Sequence, residues 1–538
     1  MPFEPDPKSI AGNELPLAER TDVLVIGAGP AGLAAALQAA SDGRSVILVD
    51  ENPISAATMG ESLPLHFGGG MTGAVRNRNA MLEAVVSAMP GLAEAFEAGV
   101  DVRLGTACWG LYAPGADVGW LPGPVAGLMD ETRSWMVGAE RIVVAAGRRD
   151  MGLAFQGWEK EGVMGIGAAL RLATLYDALR PRRVVVLGTS AETLQAALML
   201  QAKGVVIAAI VDPGAVPLGP ASLVAELEAG GAQCLFGHAP RRAEGAETVD
   251  ALTLAPVDAE GRSVGGLETR IACDGVLLGV GHVPVVELLD AAGCRVVFDA
   301  ARGGIVPVLD AAQATSKPGI YAAGDCAGIW PGKTLDPAIA AAEGRRAISA
   351  LVAPVAVIPD GNLGEDRLAW VRAAVLDAGD TTYVCQCEEV TAREILELRP
   401  PRYLNQDMAA SGDGAVAARR NARDLRSLLG DRPHPDQVKR LTRAGMGTCQ
   451  GRRCREQVAA LLALASGLPY GGVAPASHRA PVRPMPMSLA ATTSVESAAM
   501  ARHWDTWFGM PAQYVPFWEV PAQYTAAGRP RDDEVASE

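Results

Sequence analysis

Cys385 and Cys387 stand one residue apart in Val384-Cys-Gln-Cys-Glu-Glu389, and Cys449 and Cys454 form a second pair in Thr448-Cys-Gln-Gly-Arg-Arg-Cys454. A loop of one residue is too tight for ordinary disulfide geometry. Both thiols of the first pair can instead face one metal centre. Four thiolates in two close pairs match the ligand count of a [2Fe–2S] cluster or of a structural zinc; unliganded thiols are the third reading.

A second chemistry-bearing stretch is Gly27-Ala-Gly29-Pro30-Ala31-Gly32. It follows the apolar run Val23–Ile26 and precedes a helix-forming run from Leu33 to Ala40. Gly43 stops that helix, and Ser45–Val49 forms the next strand, ending at Asp50. Gly27 permits the turn, Gly29 lets backbone approach a pyrophosphate, and Gly32 lets helix and strand pack closely. The pyrophosphate would sit on free N–H groups at the positive end of the helix. Asp50, with Glu51 as the fallback, is placed to accept hydrogen bonds from a ribose. Alone, the glycine pattern is weak; with both strands, the helix and the acid it specifies a dinucleotide site.

The pattern recurs in altered form. Val184–Leu187 leads into Gly188-Thr-Ser190-Ala-Glu-Thr193, with a second strand from Val205 to Val211 and an acid at Asp212. Ser190 and Thr193 replace the second and third glycines and add bulk where a pyrophosphate or a close helix contact would lie. The expectation is a retained structural domain rather than a working nicotinamide site. NAD is disfavoured, and NADP more so, because no basic residue follows Asp212. His282, in Gly279-Val-Gly-His-Val-Pro284, reads as a crossover residue rather than a catalyst.

The elements that must position these residues fill a long chain. At 538 residues, two to four domains are expected. Hydrophobic residues make up 49% and charged residues 20%, which suits a packed globule. The net charge of −14 disfavours nucleic acid or an anionic membrane as the main partner. No apolar run is long enough to span a bilayer, and no secretory signal is evident at Met1, so a cytoplasmic chain is expected, with peripheral membrane attachment left open. Of nine cysteines, Cys108, Cys234, Cys273, Cys294 and Cys326 lie scattered in apolar segments and read as small core residues in a reducing compartment.

The strand Arg141-Ile-Val-Val-Ala-Ala146-Gly147, the run Gly319-Ile-Tyr-Ala-Ala-Gly324-Asp325-Cys-Ala-Gly328 and a helix from about Pro337 to Leu351 complete a pattern that resembles the two-dinucleotide-domain, disulfide-reductase-like flavoproteins over roughly residues 20–350. The fold class implied is α/β, with an FAD domain from 20–150 and 286–352 and an NAD-like domain at 151–285. By the same resemblance Ala146 and Gly147 line the FAD site, Gly324 and Asp325 contact the ribityl chain, and the helix after Asp336 points at the ring. No paired redox cysteines precede residue 380, which excludes a dithiol reductase.

Residues 353–379 read as linker and amphipathic helix (Gly364–Ala378). The segment 380–470 resembles the bacterioferritin-associated-ferredoxin-like [2Fe–2S] module, through Cys-Glu-Glu-Val-Thr and Thr-Arg-Ala-Gly-Met-Gly-Thr-Cys-Gln-Gly. That resemblance implies Cys385, Cys387, Cys449 and Cys454 as iron ligands, with zinc the main competitor. Thr391-Ala-Arg-Glu394 is a capping box, a second helix is expected over Arg452–Ser466, and Pro400–Asp436 reads as a polar surface insertion. Residues 471–538 hold a proline-rich strap and a tail in which seven of the chain's 25 aromatics crowd into 504–524. Such a tail must bury itself on this chain or on another subunit.

Taken together, the chain resembles the alpha subunits of hetero-oligomeric amine and imino-acid dehydrogenases: opine oxidase, D-hydroxyproline dehydrogenase, hydrogen cyanide synthase and, more distantly, sarcosine oxidase. The resemblance implies a beta subunit of amino-acid-oxidase-like fold that carries the substrate-oxidising flavin, and it allows an FMN at a subunit interface and a small third subunit. No substrate-activating acid, base or nucleophile is identified here, which agrees with an electron-transfer role. A self-contained NADH-dependent flavin/iron–sulfur reductase is the alternative, and a flavin-binding redox sensor or scaffold a third reading.

Overall fold

The computed structural model describes residues 17–54, 77–89, 91–114, 121, 123–349, 353, 363–377, 381–398 and 433–490. The aromatic tail at 504–524, most of the linker at 351–362, the insertion as far as 432 and the stretch 55–70 lie outside these residues.

β1 (Glu19–Ile26) turns through the glycine loop into α1 (Pro30–Ser41) and returns as β2 (Val46–Asp50). β3 (Asp101–Leu104), β4 (Ala107–Tyr112), β5 (Val125–Met129) and β6 (Ser134–Val144) complete a sheet of order β3-β2-β1-β6-β5-β4, with the strand Ile320–Ala322 parallel to β6. β1 lies parallel between β2 and β6 and is covered on both faces. A centrally placed parallel strand has no solvent side, which explains the unbroken apolar run Val23–Ile26.

β7 (Arg148–Asp150) then leaves the first domain. The second domain is built on β8 (Val163–Gly165), β9 (Arg183–Leu187), α2 (Ala191–Ala202), β10 (Val206–Asp212), β11 (Gln233–Phe236) and β12 (Gly275–Leu278). Its parallel sheet runs β11-β10-β9-β12-β8. β13 (His282–Pro284) brings the chain back by pairing antiparallel with β7, so outgoing and returning crossovers form one two-stranded ribbon. α3 (Glu287–Ala291) follows, and α4 (Pro337–Ile348) packs along α1. The close approach needs glycine: a Cβ on Gly344 would lie 1.9 Å from the Ala31 carbonyl oxygen.

In the C-terminal region α5 (Leu363–Val371) continues into a π turn over Arg372–Leu376. The short strand Tyr383–Cys385 carries the first thiol, and α6 (Ala392–Leu396) opens with the expected capping box. There, Thr391 Oγ1 accepts from Glu394 N–H while the Glu394 carboxylate accepts from Thr391 N–H. α7 (Pro435–Thr442) begins inside the stretch expected to be surface insertion, so Pro433–Asp436 belongs to the folded body. α8 (Arg455–Ser466) starts three residues later than expected. Gln450 and Gly451 take positive φ (52° and 76°), and the chain coils through 449–454 before the helix can propagate.

Among the described residues this region shares its core with the second domain. One buried cluster runs from Leu187, Leu252 and Leu278 of the second domain through Phe155 and Trp158 to Trp370, Val384, Cys385, Cys454 and Leu461. The segment Met151–Trp158 contributes five residues to that shared core, and Trp158 is 1% exposed. Cys108, Cys273, Cys294 and Cys326 are buried as expected, and Cys234 is half-buried. Among the described residues no helix is long and apolar enough to cross a membrane.

Candidate functional site

The glycine loop after β1 forms an open cradle. Gly27 has φ +107°, and a Cβ there would lie 2.2 Å from the Ala145 carbonyl oxygen; one on Gly32 would lie 1.8 Å from that of Gly27. Gly29, by contrast, faces open space within 4 Å. It occupies the N-cap of α1 with no side-chain cap, and Pro30 opens the helix. The first-turn N–H groups at this helix end are therefore free for an anion. Asp50 Oδ2 accepts from Ala28 N–H (2.7 Å) and Oδ1 from Asn52 N–H (2.8 Å), so this acid braces the loop as well as bordering it. Glu51 is ion-paired with Arg483 of the proline-rich strap. Gly147 takes φ +72° at the end of β6 and also faces open space.

Gly324 and Asp325 lie in the turn after Ile320–Ala322, held by residues that sequence reasoning missed. Glu343 on α4 accepts from Gly324 N–H (2.8 Å), and Lys333 Nζ donates to the Gly324 carbonyl (2.8 Å) and to Glu343 (2.9 Å). The Lys333 side chain is fully buried. Burial pushes the Glu343 carboxyl up, against the pull of Lys333. Asp336 caps α4 through Ala338 N–H (3.0 Å), so the helix end expected to face a flavin ring is ordered.

Beside Asp325 lies a half-buried chain of ion pairs across the two domains. Arg148 reaches Asp325 (3.5 Å) and Glu192 (2.8 Å), and His282 sits between Glu192 (3.0 Å) and Asp150 (3.4 Å). Burial opposes ionisation of His282, but its bonds to Asp150 and Glu192 outweigh that and raise its pKa above the ordinary 6.5. Burial likewise works against Glu192, yet His282 and Arg148 hold it down at about 2. The imidazolium therefore contributes fully to stability below pH 6.5, and the contribution fades as pH climbs through the raised pKa. Glu192 contributes fully above 4.5 and loses its share only as pH falls towards 2. His282→Asn is expected to flatten the decline in melting temperature from about pH 6 to about pH 8. An unchanged slope in calorimetry would remove His282 from the account of that decline.

The second glycine-like loop is filled. Ser190 Oγ accepts from Thr193 N–H (3.2 Å) and caps α2, and Thr193 Oγ1 donates to the Gly279 carbonyl (2.9 Å). Thr189 donates to Asp212 (2.6 Å), consuming the acid at the ribose position, and accepts from Leu218 N–H (3.1 Å). The following loop crosses the helix end so closely that a Cβ on Gly219 would lie 2.8 Å from Ala191 N.

The four paired cysteines converge. Cys385 lies in contact with Cys454, and Cys387 with Cys449. In each contact one thiol is held towards the thiolate by the S–H of its partner, and the partner is raised in turn. Cys385 and Cys454 are buried, Cys449 half-buried and Cys387 exposed. Gly445 N–H donates to Cys385 Sγ (3.4 Å), and Cys454 is the N-cap of α8. A Cβ on Gly447 would lie 2.3 Å from that of Cys387, so the two thiol loops are in backbone contact. Among the described residues no three ligating side chains gather closely enough for a single metal ion. Trp158 anchors the arrangement: its Nε1 donates to the Tyr383 carbonyl (2.6 Å), its carbonyl accepts from Gln386 (3.2 Å), and the Arg453 guanidinium lies 5.2 Å from its ring centroid. Arg453 lies against Cys449, Cys387 and Cys454. Arg443 pairs with Glu388 (2.6 Å), and Arg455, close to Cys454, bonds His478.

Two α/β domains joined by a ribbon, with a glycine cradle in the first, define the class. The chain belongs to the pyridine nucleotide-disulphide oxidoreductase family, whose sequence profile matches residues 21–345. It is an FAD-dependent oxidoreductase. It is 28% identical over 477 residues to an opine oxidase subunit of Agrobacterium tumefaciens, covering 83% of this chain and 86% of that one. It is 26% identical over 508 residues to hydrogen cyanide synthase subunit HcnB of Pseudomonas protegens, covering 86% and 96%. Among solved structures, L-proline dehydrogenase from P. horikoshii shares the fold, with a TM-score of 0.54 at 20% identity over 89% of this chain and 81% of that one. The expected likeness to these large subunits and the two-domain flavoprotein fold are both borne out.

Proposed function

We propose that this chain is the electron-transfer subunit of a heteromeric dehydrogenase that oxidises the C–N bond of an amine, amino acid, imino acid or opine. The contrast between its two nucleotide loops carries the reading. The first is open and uncapped at Gly29; the second is capped by Ser190, plugged by Thr193 and crossed at Gly219. A flavin beside a filled nicotinamide seat needs another electron source, and relatives named as oxidase and synthase subunits suggest one on a partner chain. That partner is a beta subunit of amino-acid-oxidase-like fold; an FMN at the interface and a small third subunit are compatible with it.

Bound FAD would supply two-electron chemistry, and a [2Fe–2S] cluster one-electron steps. The protein's share is placement. Gly29 and the first turn of α1 would receive the pyrophosphate, Asp50 or Glu51 the ribose, and Ala146, Gly147, Gly324 and Asp325 the flavin half. Lys333 and Glu343 would keep Gly324 in register. Cys385, Cys387, Cys449 and Cys454 would hold the cluster. Two contacting pairs suit two irons bridged by sulfide better than one tetrahedral zinc, and Arg453 with the α8 N-terminus would offset the negative charge.

Mixing the isolated chain with NADH in a stopped-flow instrument tests the reading. The flavin absorbance is expected to stay unbleached for seconds. Bleaching within milliseconds would overturn the proposal in favour of a self-contained NADH-dependent reductase.

A further inference from the structure

β7 touches both candidate redox sites. Arg148 and Arg149 are consecutive on an extended strand, so their side chains leave opposite faces. Arg148 points back to Asp325 in the flavin turn (3.5 Å). Arg149 points forward: Nε donates to the Arg452 carbonyl inside the second thiol loop (3.0 Å), Nη2 to Glu456 (2.9 Å), and Nη1 to Glu287. Contacts continue along the strand's exit. A Cβ on Gly152 would lie 2.3 Å from the Arg453 carbonyl oxygen, and Ala154 N–H donates to Gln457 (2.6 Å). The two sites are thus fastened to adjacent residues of one strand.

We propose that Arg149 is a positioning residue that couples them: it fixes the 449–454 loop against the flavin domain and supplies the half-buried positive charge that sets the reduction potential of the cluster at its Cys449 edge. This rests on the [2Fe–2S] reading above. Arg149 is 18% exposed at its side chain, and Glu287 and Glu456 are 5% and 9% exposed, so the charges are weakly screened. The guanidinium is joined to the Cys449 turn through Arg452, whose carbonyl accepts from Arg149 and whose N–H donates to the Cys449 carbonyl (3.1 Å). Reduction adds negative charge beside it, so a cation there stabilises the reduced state more than the oxidised one.

EPR-monitored and optical redox titrations of the whole chain read the effect without turnover. Arg149→Met is expected to lower the cluster midpoint and leave the FAD midpoint in place, moving the flavin-to-cluster electron partition by roughly tenfold, the scale of one partly screened charge. Arg149→Lys should restore most of the shift. Arg149→Met also strands two buried carboxylates and can fail to fold. Glu456→Gln keeps the arginine and the packing, and it should move the midpoint the other way. Cluster midpoints within error of wild type in Glu456→Gln, or in a folded, iron-loaded Arg149→Met, overturn the proposal. A wild-type chain with flavin but no iron–sulfur signal overturns instead the reading beneath it, and the inference with it.

Discussion

Gly32→Val is expected to yield a chain without flavin and with much of its stability lost, whereas Gly29→Ala is expected to yield a stable chain that binds FAD weakly. The two glycines lie three residues apart and do different work. A Cβ on Gly32 would come within 1.8 Å of the Gly27 carbonyl oxygen, and Val25 stands 3.3 Å away on the other side. The obstacle is backbone, so no rotamer change relieves it; α1 must lift off β1. Overpacking a tight contact costs about 1–3 kcal/mol and more when backbone must move. α1 also carries the Gly344 contact, so its displacement reaches α4 and, through Glu343, the Gly324 turn. Gly29 has φ −69° and ψ 179°, a conformation alanine accepts, with nothing within 4 Å of its Cβ position. A methyl there meets only a ligand. Melting of the apo chain should therefore stay within about 0.5 kcal/mol of wild type, while FAD affinity falls at least about tenfold, or about 1.4 kcal/mol. Wild-type FAD affinity for Gly29→Ala, by fluorescence titration, would show that the pyrophosphate lies elsewhere.

How much of this was legible in the amino-acid order depends on the span of each interaction. The cradle was legible because its parts are close neighbours: strand, glycines, helix and Asp50 fall within about 30 residues. The capping box at Thr391–Glu394 is complete within four residues and formed as expected. Ser190 and Thr193 announced bulk in the second loop. That Gly219 would cross the helix end was not legible, because Pro213–Pro220 has no periodicity and its path depends on the neighbouring sheet. The Lys333–Glu343 pair was not legible, since only the packing of α4 against the Gly324 turn brings the two charges inward together. Trp158 carries no local signal of its role, because its hydrogen bond spans 225 positions to Tyr383. Arg149, Glu287 and Glu456 come from three separate segments, and only tertiary register makes them one network. The expected start of α8 missed the coil at 449–454 because cysteine is not a capping residue type, and the turn is shaped by the thiols it presents.

Alanine at Cys454 and at Cys387 should both abolish the metal centre, yet only the first should weaken the apo chain. Cys454 is 1% exposed, occupies the N-cap of α8, and packs with Cys385 in the core shared with the second domain. Its loss opens a small cavity in that shared core, worth about 1–2 kcal/mol at the small end of core truncations. Cys387 is exposed, and its removal from apo protein should change stability by less than about 0.5 kcal/mol. With the metal centre loaded, the wild type gains the binding energy that couples to folding, and both variants forgo it. The ordering of melting temperatures is therefore loaded wild type first, apo wild type and Cys387→Ala together, and Cys454→Ala last. Elemental analysis fixes the identity of the centre: about two irons and two acid-labile sulfides per loaded wild-type chain, and none in either variant. One zinc per chain with no visible absorbance beyond the flavin would make the centre structural. Cys387→Ala that retains full iron would release this thiol from the ligand set and leave the contact between Cys387 and Cys449 a matter of packing alone.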